Sequence, residues 1–324
     1  MTNFSPITAA KALWQMRIKK RPFVLSHAVN SSCNMRCKFC EYWKESGPQM
    51  ELQEVFRLLD EARGFGIQVY NAWTVEPLLR SDLPHILEHA KNLGMTTSMI
   101  TNGLLLEKRA GELVHLDYLS VSVDGTSSYR EIRGVDFERI LPGIIRAREV
   151  MGKPLLLNCV ISGKNLDDIE ELILLAKNLD LKISFEPMYE FGSIASDTWK
   201  ELGIRDMEKY RTTVDKIIEM KKEGYPVINS LTYLGMVRDL RTDYTCHAND
   251  LILCVSSDGS IENCRVYREP VGNIKDGIAN VWERTRQERK ETAAKCEKCL
   301  FFGYVENSML YDFNLEVMRH YDWM

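Results

Sequence analysis

Three cysteines near the amino terminus, Cys33, Cys37 and Cys40, are separated by three and two residues. Thiolates bind zinc and iron–sulfur clusters, and a four-iron cluster held by three of them leaves one iron open to another molecule. A tetrahedral zinc site would need a fourth ligand nearby, and the neighbouring His27 belongs to the preceding predicted strand. The spacing therefore indicates a four-iron cluster with one open site, and a zinc knuckle is the alternative.

A second set of cysteines lies in the last quarter of the chain, at Cys246, Cys264, Cys296 and Cys299. Cys254, between the first two, is a fifth candidate ligand. Four thiolates would leave no open iron and would favour electron transfer, whereas three would leave a vacancy for a substrate. A zinc ribbon built from a hairpin and a Cys-x-x-Cys pair uses the same ligands and stays open as an alternative.

Composition and charge narrow the class of protein. The 324 residues carry 42 lysines and arginines against 46 aspartates and glutamates, a net charge of −4, which argues against nucleic-acid binding by bulk charge. No apolar run approaches the roughly 18 residues of a membrane span, and the amino terminus lacks the apolar core of a secretion signal. We therefore expect a cytoplasmic protein, in which clustered cysteines indicate metal or redox chemistry rather than disulfides.

The elements that must position the first cysteine set follow a regular alternation between residues 23 and 186. The predicted strands are Phe23–Val29, Gln68–Trp73, Thr96–Thr101, Tyr118–Val123, Leu155–Ile161 and Leu181–Glu186. The predicted helices between them are Leu52–Arg63, Leu83–Leu93, Phe137–Val150 and Asp167–Leu179. This alternation predicts right-handed crossovers and a parallel sheet, and six units are too few to close an eight-stranded barrel. The site of such a sheet lies at the carboxyl ends of its strands.

The pattern changes after a connecting helix at Met207–Glu223, and we place a boundary near residue 230. Cys246–Tyr267 is predicted to be a β-hairpin with its turn at Ser257–Ser260, and a short helix follows near Ile278–Arg289. The predicted fold class is α/β, a partial (β/α)6 TIM-like barrel with a small C-terminal β-hairpin/helix domain that carries the second cysteine set. The predicted domains are an N-terminal amphipathic helix at 1–22, the barrel at 23–230 and the C-terminal domain at 231–324.

The first cysteine set, directly after the first strand of a six-unit barrel, resembles that of the radical S-adenosylmethionine (radical SAM) enzymes. The resemblance implies that the open iron binds the amino and carboxylate groups of S-adenosylmethionine. An electron from the cluster then cleaves the sulfonium to a 5′-deoxyadenosyl radical, which abstracts hydrogen from an unactivated substrate carbon. It also implies a reductant such as flavodoxin or ferredoxin.

The second cysteine set resembles the auxiliary-cluster extension of the same family, called SPASM with two clusters and Twitch with one. No cysteine follows Cys299, so the chain can supply only one auxiliary [4Fe-4S] cluster. The resemblance implies Cys246, Cys264, Cys296 and Cys299 as its ligands.

Further residues at the strand ends are implied to contact S-adenosylmethionine: Phe39, Glu76, Asn102, Ser122, Asp124, Arg133, Asn158 and Ile161. Phe39 would lie against the adenine, and Glu76 would hold the methionine amino group. Ser122 and Asp124 would hold the carboxylate and the ribose. Arg133 is either a charge partner of that carboxylate or an exposed arginine beside its neighbouring glutamate.

The chain departs from the family pattern after the second strand, where Gly-Gly-Glu-Pro is usual. Thr74 and Val75 replace both glycines before Glu76 and Pro77. Recognition of the methionine amino group must therefore be rearranged.

The substrate is unresolved among a small molecule, a lipid and a peptide. The substrate radical is expected either to lose an electron, with the auxiliary cluster as a suitable acceptor, or to form a carbon–carbon bond. Glu186 and Tyr189, at the end of the sixth strand, are candidate catalytic residues for handling protons, or they merely cap the sheet. The rival hypothesis from another class is a non-enzymatic zinc-binding scaffold protein.

Two terminal segments bear on the partner. Ile7–Lys20 has an amphipathic pattern that ends in a run of basic residues, and it either packs beneath the barrel or makes peripheral contact with an anionic membrane. Phe301–Met324 is rich in aromatic residues. It either belongs to the core or lines a dry cavity for a long apolar substrate, because a carbon radical attacks whatever it meets.

Overall fold

The computed structural model describes residues 11–44, 46–73, 75–152, 155–188, 196–266, 268–296 and 299–320. Its strands are β1 (Val24–Ala28), β2 (Val69–Trp73), β3 (Thr96–Thr101), β4 (Tyr118–Ser122), β5 (Leu155–Ile161), β6 (Lys182–Pro187), β7 (Ile252–Val255), β8 (Ser260–Glu262) and β9 (Pro270–Asn273). Its α-helices are α1 (Leu52–Phe65), α2 (Leu83–Asn92), α3 (Leu106–Arg109), α4 (Tyr129–Arg133), α5 (Leu141–Met151), α6 (Ile169–Asn178), α7 (Ser196–Leu202), α8 (Met207–Lys222), α9 (Leu231–Arg238), α10 (Ala248–Leu251), α11 (Ile278–Arg284), α12 (Arg286–Lys295), α13 (Phe302–Tyr311) and α14 (Leu315–His320). A π-helix spans Trp14–Ile18, and 3₁₀ turns span Tyr42–Lys44, Pro77–Leu79, Ala110–Glu112, Phe137–Arg139 and Ile274–Asp276.

Strands β1 to β6 form a parallel sheet in which each strand pairs with the next one along the chain. Helical crossovers connect them, as the alternation of apolar patterns predicts. Each of the six predicted strands begins and ends within one residue of the observed one. The sheet ends at β6 on one side and does not close on itself, which confirms the open partial barrel.

The two faces of the barrel sheet differ in chemistry. Residues such as Leu25, Val121 and Leu157 face the helices and are completely buried in the main apolar core. The opposite, inner face carries polar residues, many of which lie opposite one another in register: Ser26, Asn71, Ser98, Ser120, Ser122, Asn158 and Ser184. Because side chains alternate between faces along a strand, this one sheet separates an apolar exterior from a polar interior.

The C-terminal hairpin continues the barrel sheet, a joining that the sequence pattern does not predict. Strand β7 pairs in parallel with β1, and β8 and β9 follow antiparallel, giving the order β6-β5-β4-β3-β2-β1-β7-β8-β9. Gly259 closes the turn between β7 and β8 with φ +86°, a left-handed conformation that glycine adopts without strain. The predicted helix at Ile278–Arg289 is divided at Thr285 into α11 and α12.

The described part of the N-terminal amphipathic segment packs at the amino end of the barrel. Ala12 is buried against Phe23, and the buried Gln15 side chain donates to the carbonyl of Phe65 over 3.0 Å. Trp14 and Ile18 are exposed on the other side, so contact with a membrane stays a prediction. In the described residues, no helix combines the length and apolar character needed to cross a bilayer.

Much of the aromatic-rich C-terminal segment is core. Tyr304, Val305 and Met309 of α13 are buried, whereas Phe313 is about half exposed. Residues 321–324 lie outside the described part of the chain.

Candidate active site

The loop after β1 carries Cys33, Cys37 and Cys40 at the carboxyl edge of the parallel sheet. The pKa of Cys37 is raised to about 11, mainly by burial; the positive charge of Arg133 opposes this rise, and the nearby Cys40 and Cys33 contribute to it. Mutual influence of this kind requires the thiols to lie close together. The structure thus brings the first predicted ligand set together.

Glu76 connects the loop after β2 to the loop after β3. Its Oε1 accepts hydrogen bonds from the Leu78 amide (3.0 Å) and the Thr101 hydroxyl (2.7 Å), and its Oε2 accepts from the Asn102 amide (2.8 Å). Burial raises the pKa of Glu76, and these donors oppose the shift. The Asn102 side chain places its amide nitrogen 3.7 Å from the Cys33 sulfur. Both predicted residues therefore lie beside the cysteine loop.

Val75 has φ +48°. A β-branched side chain is strained in this left-handed region, whereas glycine adopts it freely. Val75 stands where the family pattern has its second glycine. The backbone bend is therefore retained although the glycine is lost.

Asp124 and Arg133 form a buried ion pair, with 2.6 Å between Asp124 Oδ2 and Arg133 Nε. The other Asp124 oxygen accepts the Val160 amide over 2.9 Å. The guanidinium of Arg133 also lies 3.9 Å from the Cys37 sulfur and 5.3 Å from the centre of the Phe39 ring. Arg133 is thus buried at the site rather than exposed, and it brings together three further predicted site residues.

Asn158 and Glu186 continue the polar inner face towards the C-terminal segment. Asn158 pairs in register with Ser122, accepts from the Ser184 hydroxyl (2.8 Å) and donates to Glu186 Oε1 (3.2 Å). Glu186 Oε2 accepts the amide of Phe302, which begins α13, over 3.0 Å. Burial raises the pKa of Glu186. Glu186 therefore anchors α13 to the barrel interior.

Two other residues of interest lie in the apolar core rather than among the polar groups of the site, and a third lies outside the described residues. The Ile161 side chain is completely buried in the apolar core, so it faces the helices rather than the barrel interior. Cys159, which belongs to neither cysteine set, is also completely buried there. Tyr189 lies outside the described residues.

The second cysteine set also comes together. Cys246 and Cys264 pack in one cluster with Cys299, and Cys264 and Cys296 both raise the pKa of Cys246, after burial as the main cause. The Tyr244 hydroxyl donates to the Cys299 carbonyl over 2.8 Å. All four predicted ligands are therefore neighbours.

Cys254 lies on the inner face of β7, opposite Ser26 of β1. Its sulfur is buried 3.9 Å from the Tyr304 hydroxyl, and burial raises its pKa to about 12. The charge of Arg265 opposes this rise and that of Cys264 contributes to it, so Cys254 lies near Cys264 of the second set.

A stack of aromatic and cationic side chains lies between the two cysteine sets. The guanidinium of Arg265 is 3.7 Å from the centre of the Trp73 ring, and the Trp73 and Tyr42 rings are nearly perpendicular with their centres 5.8 Å apart. Tyr42 follows Cys40 by two residues, and its hydroxyl donates to the carbonyl of Arg265, the residue after Cys264. The sequence predicts no role for this bridging stack of Tyr42, Trp73 and Arg265. Its only local signals are the positions next to two cysteines and at the end of β2.

The donor sets suit iron–sulfur clusters. Both consist of thiols alone, which are the ligands that such clusters use. Within the described ranges, no three histidine, cysteine, aspartate or glutamate side chains are arranged to hold a single metal ion.

Comparison with known sequences agrees with this chemistry. The sequence model of the Radical SAM superfamily matches residues 29–176. A probable GTP 3′,8-cyclase of Saccharolobus solfataricus is 32% identical over 261 residues, which cover 76% of this chain and 82% of that protein. A protein of the same name from Saccharolobus islandicus strain M.14.25 is 30% identical over 252 residues, covering 73% of this chain and 80% of that protein.

Solved structures resemble this fold. SuiB of Streptococcus suis bound to S-adenosylmethionine aligns with a TM-score of 0.67 at 17% identity, covering 85% of this chain and 69% of that chain. Native anSMEcpe with bound AdoMet aligns with a TM-score of 0.65 at 16% identity, covering 93% and 99%. Together with the sequence relatives, these findings establish that the chain belongs to the radical SAM superfamily, whose members use a [4Fe-4S] cluster and S-adenosylmethionine.

Proposed function

We propose that the chain is an enzyme that reductively cleaves S-adenosylmethionine to a 5′-deoxyadenosyl radical, which abstracts hydrogen from an unactivated carbon of its substrate. One observation carries this proposal. The thiols of Cys33, Cys37 and Cys40 lie together at the carboxyl edge of the sheet, with the polar groups of Asn102 and Arg133 against their sulfurs.

Cys33, Cys37 and Cys40 would hold the first cluster, which supplies the electron for cleavage when bound. Cys37 is buried, Cys33 and Cys40 are partly buried, and the positive charge of Arg133 lies beside Cys37. Hydrogen bonds and charge near the sulfurs tune the reduction potential of such clusters. The electron would come from a flavodoxin or ferredoxin.

The residues proposed to contact S-adenosylmethionine are Phe39, Glu76, Asn102, Ser122, Asp124, Arg133, Asn158 and Ile161, the last through its backbone because its side chain faces the helices. A carboxylate has about four acceptor positions. Asp124 uses two of them on Arg133 and Val160, so it can still accept from ribose hydroxyls. Glu76 uses three, so one position remains for an ammonium group.

Cys246, Cys264, Cys296 and Cys299 are proposed to hold one auxiliary [4Fe-4S] cluster. Four thiolates would leave it without an open iron and suit it to electron transfer. Cys254 is close enough to Cys264 to be tested as a ligand.

Glu186 is proposed to handle a proton during the reaction. Burial raises its pKa above the ordinary glutamate value, which favours a protonated carboxyl group that can exchange a proton with a substrate. Tyr189 shares this proposal on sequence grounds alone.

The comparisons name two kinds of substrate. Relatives are called probable GTP 3′,8-cyclases, and one solved neighbour is SuiB bound to precursor peptide SuiA. The polar inner face of the barrel supports a polar molecule of either kind over a lipid. The outcome would be oxidation or carbon–carbon bond formation.

The first experiment measures iron and sulfide in anaerobically reconstituted protein, together with 5′-deoxyadenosine formed under dithionite and S-adenosylmethionine. We expect about eight irons per chain and product formation. Replacing Cys33, Cys37 and Cys40 by alanine should remove about four irons and abolish the product. Replacing Cys246 and Cys264 should also remove about four irons, but cleavage of S-adenosylmethionine should remain.

Cys159→Ala is the matched control because this cysteine is completely buried in the apolar core and belongs to neither proposed ligand set. It should retain both clusters. Zinc in place of iron, with no 5′-deoxyadenosine, would contradict the proposal and favour a structural zinc protein.

A further inference from the structure

Two buried N–H groups of the bridging stack have no hydrogen-bond partner: Nε1 of Trp73 and Nε of Arg265. Because the guanidinium lies 3.7 Å from the centre of the indole ring, both belong to one stacked pair. An unpaired buried donor is costly, and native proteins leave few of them. Two at one place indicate a ligand with acceptor oxygens.

In a second stacked pair of this protein, the corresponding N–H groups do have hydrogen-bond partners. Arg289 lies 3.7 Å from the centre of the Trp282 ring and is equally buried. Its guanidinium donates to the carbonyls of Trp282 and Asn249, and the Trp282 indole donates to the Lys20 carbonyl over 3.0 Å. The stacking geometry alone therefore does not leave donors unpaired.

Arg265 also has no carboxylate partner among the described residues. Its guanidinium donates to two neutral groups, the Ser26 hydroxyl and the Asn71 side-chain oxygen. The nearby Glu262 pairs with Arg268 at 3.8 Å, and no carboxylate of the described residues is within ion-pair distance of Arg265. The charge of Arg265 lowers the pKa of Glu262, but this effect is smaller than that of Arg268. Thiolates of the second cysteine set add negative charge near Arg265, but they leave its buried Nε unpaired, and an anion with acceptor oxygens would satisfy that donor.

The location points to the substrate. Trp73 ends β2, next to the strand that leads into the first cysteine loop, and Arg265 follows Cys264 of the second set. Ser26 and Asn71 belong to the polar inner face. A molecule held by the pair would therefore lie inside the barrel, between the two proposed clusters.

We propose that Trp73 and Arg265 form an oxyanion subsite that binds a carboxylate or phosphate group of the substrate. This inference rests on the proposed function, because it assigns an anionic substrate to that site. A guanidinium suits both anions, since its planar donors match their oxygens and its charge persists at all relevant pH values. The indole N–H adds a donor without adding charge.

The test uses anaerobically reconstituted holoprotein and isothermal titration with two probes, inorganic phosphate and acetate. Wild type should bind at least one probe saturably, and the tighter probe identifies the chemistry of the group. Arg265→Gln should weaken binding by about tenfold or more, because a charged hydrogen bond is lost. Trp73→Phe keeps a ring for stacking but removes the N–H, so it should weaken binding severalfold. Arg289→Gln removes an equally buried, stacked arginine and should leave affinity within about twofold.

Iron content and circular dichroism confirm that each variant is folded and loaded. The proposal is overturned if wild type binds neither probe up to about 10 mM, or if Arg289→Gln weakens binding as much as Arg265→Gln does. An equal loss of S-adenosylmethionine affinity in Arg265→Gln would overturn it as well, because the donors would then serve the methionine carboxylate. Failure of the proposed function is distinct, since wild type would then form no 5′-deoxyadenosine.

Discussion

Asp124 and Arg133 place opposite charges 2.6 Å apart in a buried position beside the Cys37 sulfur. Neither charge could remain there alone, because a buried ion without its partner loses its hydration and gains nothing in return. The same helix, α4, carries Arg130, whose pair with Asp136 is exposed. Comparing these two ion pairs therefore tests how burial changes the contribution of a single ion pair to stability.

Arg133→Gln should lower the free energy of unfolding by about 3–5 kcal/mol, because it leaves the Asp124 carboxylate buried and unpaired. Arg130→Gln should change it by less than about 0.5 kcal/mol, because exposed pairs contribute little. Denaturant titration measures both. Similar values for the two variants would contradict the role of burial.

Val75→Gly should stabilise the protein by about 1 kcal/mol. Glycine removes the strain of a β-branched residue at φ +48°, and this gain exceeds the entropy that glycine loses on folding. The exposed Val114 has no positive φ, so Val114→Gly should be mildly destabilising instead. Midpoints of thermal unfolding decide between the two signs, and a lower midpoint for Val75→Gly would refute the account of strain.

At the scale of elements, β1 places polar side chains on both faces of the sheet. Ser26 points to the polar interior, whereas the next residue, His27, is completely buried on the helix-packed face. The His27 Nδ1 lies 3.0 Å from the Tyr70 hydroxyl, and its Nε2 is buried without a partner. Burial, with a smaller contribution from the charge of Arg80, lowers the pKa of His27 to about 3.

Because of this lowered pKa, the stability of the folded protein should depend on pH in the acidic range. Between pH 3 and the ordinary histidine pKa of about 6.5, the unfolded chain binds one proton at His27 that the folded chain does not. Stability should therefore fall as the pH drops through this window, by up to about 1.4 kcal/mol per pH unit. His27→Gln should remove that part of the slope, which denaturant titrations at pH 7 and pH 5 would measure. The exposed His85→Gln is the control, and an equal change in slope there would contradict the assignment.

At the scale of the whole molecule, the C-terminal segment is part of the barrel sheet rather than an attachment to it. Strand β7 covers the edge of β1, and the amide of Phe302 in α13 donates to Glu186 of β6. The segment therefore contacts both ends of the parallel sheet. This arrangement brings the second cysteine set within reach of the barrel interior through Arg265.

A chain ended at residue 230 should self-associate more than the full-length protein does. Without β7 the edge of β1 exposes unpaired backbone groups, which favour pairing between molecules. We expect aggregates or oligomers in size-exclusion chromatography with light scattering. A chain ended at residue 320 keeps β7 and should elute like the full-length protein. A soluble, monomeric 1–230 fragment would show instead that the barrel folds as an independent domain.

The sequence by itself determined the open parallel barrel, the ends of its strands and the two groups of cysteines. These features are encoded in spacing over a few residues, because apolar periodicity and ligand spacing are local properties. Tertiary structure alone decided that Asp124 pairs with Arg133, that the hairpin joins β1, and that Arg265 stacks on Trp73. Such contacts depend on how distant elements pack. A pattern that fixes one strand or helix carries no information about which partner completes it.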